Sequence, residues 1–78
     1  MKVELRLYAS LSVYMPTKND ATLVVNIDDE INIRGLLKKF KIPADSVKII
    51  FLNGVHALGD EVLKEGDRIG VFPSIAGG

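Results

Sequence analysis

An α+β fold, with a mixed sheet of four to five strands curled around one main helix, is what this 78-residue sequence predicts. Three observations predict it. Apolar and polar residues alternate over 2–8 and again over 21–28, the period of a half-buried strand. Only one stretch, Ile33 to Phe40, repeats its apolar residues at helical spacing. Short β-branched runs separated by glycine turns fill most of the chain beyond Pro43.

In Lys2 to Tyr8, Val3, Leu5 and Leu7 fall on one face, with Lys2, Glu4, Arg6 and Tyr8 on the other. Ala9 to Met15 reads as a short helical turn that buries Leu11, and Pro16 to Asp20 as a polar break. Leu23, Val25 and Ile27 share a face of the second strand, which is expected to pair antiparallel with the first. Ile33, Leu36, Leu37 and Phe40 define the helix face, with Asn32 as N-cap and Asp29 as the alternative. Asp28, Asp29 and Glu30 stand near the positive end of its dipole and Lys38, Lys39 and Lys41 near the negative end. Pro43 is expected to stop the helix, and Gly35 to permit close packing against a strand. Val47 to Leu52 reads as a well-buried strand, Asn53-Gly54 as a tight turn and Val55 to Leu58 as a short return strand. Leu63 is expected to plug the core from a short helical turn. Glu65-Gly66-Asp67 turns the chain into the last strand, Arg68 to Phe72, which places Ile69 and Val71 inward and is ended by Pro73. One helix and one half-buried sheet must cover each other. The β-grasp arrangement does so compactly, with the first and last strands adjacent and parallel at its centre.

At this length there is room for one core. A hydrophobic fraction of 47% is enough to offset chain entropy, which argues against disorder. Ten basic residues balance ten acidic ones, so nucleic acid is not the expected partner. The longest apolar run, Ile49 to Leu52, is far short of the ~20 residues that cross a bilayer. With no secretory h-region at the N-terminus, a cytoplasmic location is expected. The absence of cysteine excludes disulfides, thiolate metal sites and cysteine nucleophiles. Such a chain is expected to be a carrier, a binder or a regulator rather than an enzyme.

The most informative residues are the last two, Gly77-Gly78. With glycine near 7% of residues, two together at an end arise by chance in roughly 0.5% of chains. A carboxylate that must enter a narrow channel in another protein needs neighbours without side chains, and glycine meets that need. The five residues after Pro73 reach at most ~17 Å, enough to carry Gly78 away from the body, with Ile75 available to dock at a channel mouth. The expected organisation is therefore a domain over 1–73 and a flexible tail over 74–78. On the outward sheet face, Arg6, Tyr8, Phe72 and one of Ile49 and Phe51 form an aromatic and arginine set of the kind that anchors interfaces. Other signals read as structural. Gly54 and Gly59 have phosphate-loop spacing, but Asp60-Glu61 comes after them and would repel phosphate. His56 has no second histidine at ligand spacing, and no metal site is expected.

The chain resembles the MoaD/ThiS sulfur carriers of the ubiquitin-like superfamily, most closely the small subunits of molybdopterin synthase. Gly66-Asp67 matches the family's turn, and Phe72-Pro73-Ser74-Ile75-Ala76-Gly77-Gly78 resembles its ending, Phe-Pro-Pro-Val-x-Gly-Gly. Leu7-Tyr8-Ala9-Ser10-Leu11 is similar to its first-strand exit, and Leu52-Asn53-Gly54 to its central strand and turn. The resemblance implies a mechanism. A MoeB/ThiF-like activating enzyme, using ATP and magnesium, adenylates the Gly78 carboxylate. A persulfide donor converts the adenylate to a thiocarboxylate, and a MoaE-like large subunit of molybdopterin synthase holds the acceptor. It implies no cofactor on this chain, Gly77 and Gly78 as the reacting end, and Phe72, Pro73, Ile75, Tyr8, Arg6 and Phe51 as partner contacts. Alternatives are a thiamin-thiazole carrier, which Phe72-Pro73 disfavours, a ubiquitin-like protein modifier and a non-covalent β-grasp interaction module.

Overall fold

A computed structural model describes residues 1–15, 22–27 and 30–74. The polar break at Pro16 to Asp20, the alternative cap Asp29, its neighbour Asp28 and the tail from Ile75 to Gly78 lie outside the described residues.

Five strands form one sheet in the order β2-β1-β5-β3-β4. They are β1 (Lys2–Leu7), β2 (Thr22–Asn26), β3 (Val47–Leu52), β4 (Val55–Ala57) and β5 (Arg68–Pro73), with the helix α1 over Ile33–Lys39. The central pair β1 and β5 is parallel, with Leu5 beside Ile69 and Leu7 beside Val71. The remaining pairs, β1–β2, β3–β5 and β3–β4, are antiparallel. This is the ubiquitin-like β-grasp.

Alternation puts Val3, Leu5, Leu7, Ile69 and Val71 on the inner face, where each is buried in one core with Ile33, Leu36 and Leu37 of α1. Burying a side chain of this size contributes about 1.5–3 kcal/mol. Leu11 adds to the core from a 3-10 turn over Ala9–Tyr14, as the sequence predicts.

The helix is short, and its ends are tied down. The Asn32 side chain accepts from the Gly35 N–H at 2.8 Å. The N–H groups of Ile33 and Arg34 donate to the carbonyls of Glu61 and Gly59. The first-turn amides that a helix leaves unpaired are thereby satisfied. Contrary to expectation, Pro43 does not end α1. Lys41 turns left-handed (φ 60°), its N–H donates to Lys38 O, and Ile42 N–H reaches back to Leu37 O, so the helix has already ended at Lys39, four residues before the proline. Gly35 is not packed against a strand either. A Cβ there would meet Ile31 Cγ1 at 2.7 Å, so its small size serves the helix's own entry turn.

Two further expectations are corrected. Leu63 is buried, but from extended chain: its N–H bonds to Ile31 O, and Val62 bridges Asn32. β3 is not well buried, because within it only Ile50 is sealed while Lys48 and Ile49 are exposed. A register shift against β5 between Val47 and Ile49 makes Lys48 the extra residue of a bulge. The seven-residue helix stops before it covers this half of the sheet.

Asn53 (φ 53°) and Gly54 (φ 83°) both adopt left-handed backbone, the two-residue turn that joins β3 to β4. Asn53 also donates from Nδ2 to Asp67 Oδ1 and accepts from the Arg68 N–H, each at 2.9 Å, which pins this hairpin to the start of β5.

Candidate functional site

The outer face of the sheet carries what the core excludes. Tyr8 comes directly after β1, and its N–H bonds to Val71 O, so the parallel register sets its ring beside that of Phe72. The two rings stack with centroids 4.2 Å apart and planes 1° from parallel. Phe51, facing Gly70 across the β3–β5 ladder, meets Phe72 edge-on at 5.8 Å and His56 edge-on at 6.0 Å. The three aromatic residues named from the sequence thus form one cluster, with Arg6 exposed alongside. The choice between Ile49 and Phe51 is corrected, since both face outward. Residues two apart in a strand share a face, and Ile49 lies opposite Phe72 while Ile50 points into the core.

Around this cluster runs an open groove of about 510 Å³, bordered by Arg6 and Arg68 and floored at Gly70. Sequence reasoning missed Gly70 and Arg68, although alternation back from Phe72 puts both on this face. A Cβ on Gly70 would stand 3.4 Å from the Tyr8 ring, so the glycine keeps the notch open.

Pro73 is not brought to this cluster. It falls on the opposite phase of β5 and borders a hollow of about 340 Å³ with Leu11, Tyr14 and Ser46. Next to it, exposed Ser74 donates its N–H to Ser46 O at 3.0 Å, which sets the direction in which the chain leaves β5. Ile75, Gly77 and Gly78 lie outside the described residues.

The phosphate-loop spacing has a structural use. Glu61 accepts from the N–H groups of Leu58 and Gly59 at 3.0 and 2.8 Å, so those amides already hold a carboxylate. These bonds, led by that from Leu58, draw the Glu61 carboxyl below its ordinary value of 4.5. Among the described residues no cluster of three His, Cys, Asp or Glu side chains is placed to hold a metal. None of their helices is long and apolar enough to cross a membrane. The arrangement is built for binding, with aromatic anchors, a groove and a strand that leads outward.

Comparison with known proteins decides the family. The model of the ThiS family matches residues 13–78. The chain belongs to the ThiS family. Members of this family and its MoaD-like relatives are small carrier proteins rather than enzymes. No curated protein matches the chain significantly. Among solved structures, a putative molybdopterin converting factor subunit 1 from Pyrococcus furiosus shares the fold with a TM-score of 0.73 and 22% identity, over 95% of this chain and 98% of that one. SAMP1 from Haloferax volcanii superposes with a TM-score of 0.71 and 20% identity, over 100% of both chains. A similar chain, again covered over 100% of both, occurs in the complex of subunits 1 and 2 of the molybdopterin-converting factor from Helicobacter pylori, with a TM-score of 0.63 and 19% identity. The fold of this ThiS-family chain is thus that of sulfur carriers and of ubiquitin-like modifiers alike.

Proposed function

We propose that this chain is a sulfur carrier for molybdopterin synthesis in the cytoplasm, with the body over 1–73 presenting a tail over 74–78. In this reading Gly78 is the terminal residue and its carboxylate is the reacting group. An activating enzyme, with its own ATP and magnesium, joins the carboxylate to AMP and releases pyrophosphate. The outer sulfur of a persulfide donor attacks the acyl carbon and displaces AMP, leaving an acyl disulfide. A second thiol then attacks the donor's own sulfur, forms a disulfide with it and releases the thiocarboxylate, whose sulfur passes to the acceptor in the large subunit of the synthase while water restores the carboxylate. Gly77 and Gly78 supply the slender end, and Ile75 and Pro73 steer it. Arg6, Tyr8, Phe51 and Phe72 hold the body against the partner. The observation that carries the reading is that β5, at the centre of the sheet, ends at Phe72-Pro73 with Phe72 in the aromatic cluster, and that the ThiS-family match runs on through the glycine pair that follows in sequence.

The test is to incubate the protein with an activating enzyme, ATP and a sulfur donor and to weigh it intact. Exchange of one oxygen for sulfur is expected, and a chain lacking Gly78 should fold normally and take up none. Uptake by that truncated chain would overturn the proposal. The likeness to SAMP1 favours a second reading, in which Gly78 forms an isopeptide bond with target lysines. Ladders of adducts on cellular proteins, formed without thiocarboxylate, would decide for it.

A further inference from the structure

We propose that the groove between α1 and the β3–β4 hairpin is a docking site for an apolar peptide segment of a partner protein that is flanked by carboxylates. The groove holds about 470 Å³ and lies on the helix side of the sheet, away from the aromatic cluster. Its floor is sealed less tightly than the centre of the sheet. Leu37, Ile42, Ile50 and Ala57 are each 5–6% exposed, whereas the inward residues of β1 and β5 are at 0–2%. The cause is the early stop of α1: Lys41 turns the chain back before a third helical turn can cover β3 and β4.

The rim supplies the charge. Arg34, Lys38 and Lys48 border the groove, and among the described residues no acidic one does. Asp60 pairs with Arg34 at 3.5 Å, while among the described residues neither lysine has an ion-pair partner. Lys48 lines the groove with Ile50, two residues further along β3. In a chain with no net charge, two lysines over an apolar floor attract an extended segment with apolar side chains and acidic ends. The 3-10 turn over Ala44–Ser46 borders the groove through Ala44 and holds Ser74 through Ser46. A partner seated here would therefore lie beside the exit of the tail and leave the sheet face free.

The probe is the peptide acetyl-Asp-Asp-Leu-Ile-Val-Leu-Glu-Glu-amide, titrated into the full-length 15N-labelled protein. Amide shifts are expected at Leu37, Ile42, Ala44, Ile50 and Ala57 and not at Tyr8 or Phe72. Both lysines are exposed, so Lys38→Glu/Lys48→Glu should keep a folded spectrum, lose roughly tenfold in affinity and regain it with a peptide whose acids are replaced by lysines. Leu58→Ser, which trims an exposed wall, should also weaken binding, and removal of Gly78 should leave it unchanged, which separates this proposal from the carrier chemistry. Absence of shifts at millimolar peptide would overturn the proposal. So would equal binding of both peptides, shifts centred on Tyr8 and Phe72, or binding to phosphatidylglycerol vesicles by a protein that ignores the peptide.

Discussion

The two faces of the central strands are built from alternate residues of the same segments, yet they do different work. On the inner face Val3, Leu5, Leu7, Ile69 and Val71 are sealed by α1 and have no polar neighbour to satisfy. On the outer face Arg6, Tyr8, Phe51 and Phe72 remain in reach of solvent, and the aromatic rings pack on one another rather than on a covering layer. A position's contribution is therefore set by what the fold places over it, not by its hydrophobicity. Inner residues hold the domain together; outer ones are free to bind, and the strand they share connects the two tasks.

The sharpest way to break this contrast is Leu5→Ala. Leu5 is fully buried at the centre of the sheet, so a loss of about 2–5 kcal/mol is expected in chemical denaturation. Its exposed neighbour should behave otherwise: Arg6→Ala is expected to change stability by no more than about 0.5 kcal/mol. Comparable losses at both positions would contradict the division of the faces. Next in size is Asn32→Ala, which removes the side-chain cap of the helix that seals the inner face and should cost about 1 kcal/mol by the same measurement. The stacked pair then sharpens the picture of the outer face. A double-mutant cycle on Tyr8→Ala and Phe72→Ala should give a coupling of about 0.5–1.5 kcal/mol, and additivity would mean that the rings do not stack in solution. The smallest effect concerns acid. The folded carboxyl of Glu61 titrates below 4.5, so its bonds to Leu58 and Gly59 add stability above that pH. This share is lost as pH falls from about 4.5 through the lower folded value. Glu61→Gln should flatten that part of the stability curve, and an unchanged acid slope would show that the bonds contribute nothing.

Local pattern determined much of this protein. Alternation was enough to place Val3, Leu5, Leu7, Ile69 and Val71 inside, helical spacing to align Ile33, Leu36 and Leu37, and residue chemistry to mark the Asn32 cap and the Asn53-Gly54 turn. Each depends on neighbours within a few residues, where backbone geometry leaves few choices. The same alternation already implies that Ile49 and Phe51 face the same way. Tertiary structure alone decided where α1 stops, why Gly35 is small, that Leu63 plugs the core from extended chain and that Glu61 fills its own loop. It alone brought Tyr8, Phe51 and Phe72 from three separate segments into one cluster and opened the groove beside α1. Those outcomes join residues far apart in sequence, and contact between them is settled only when the sheet order and the length of the helix bring their surfaces together.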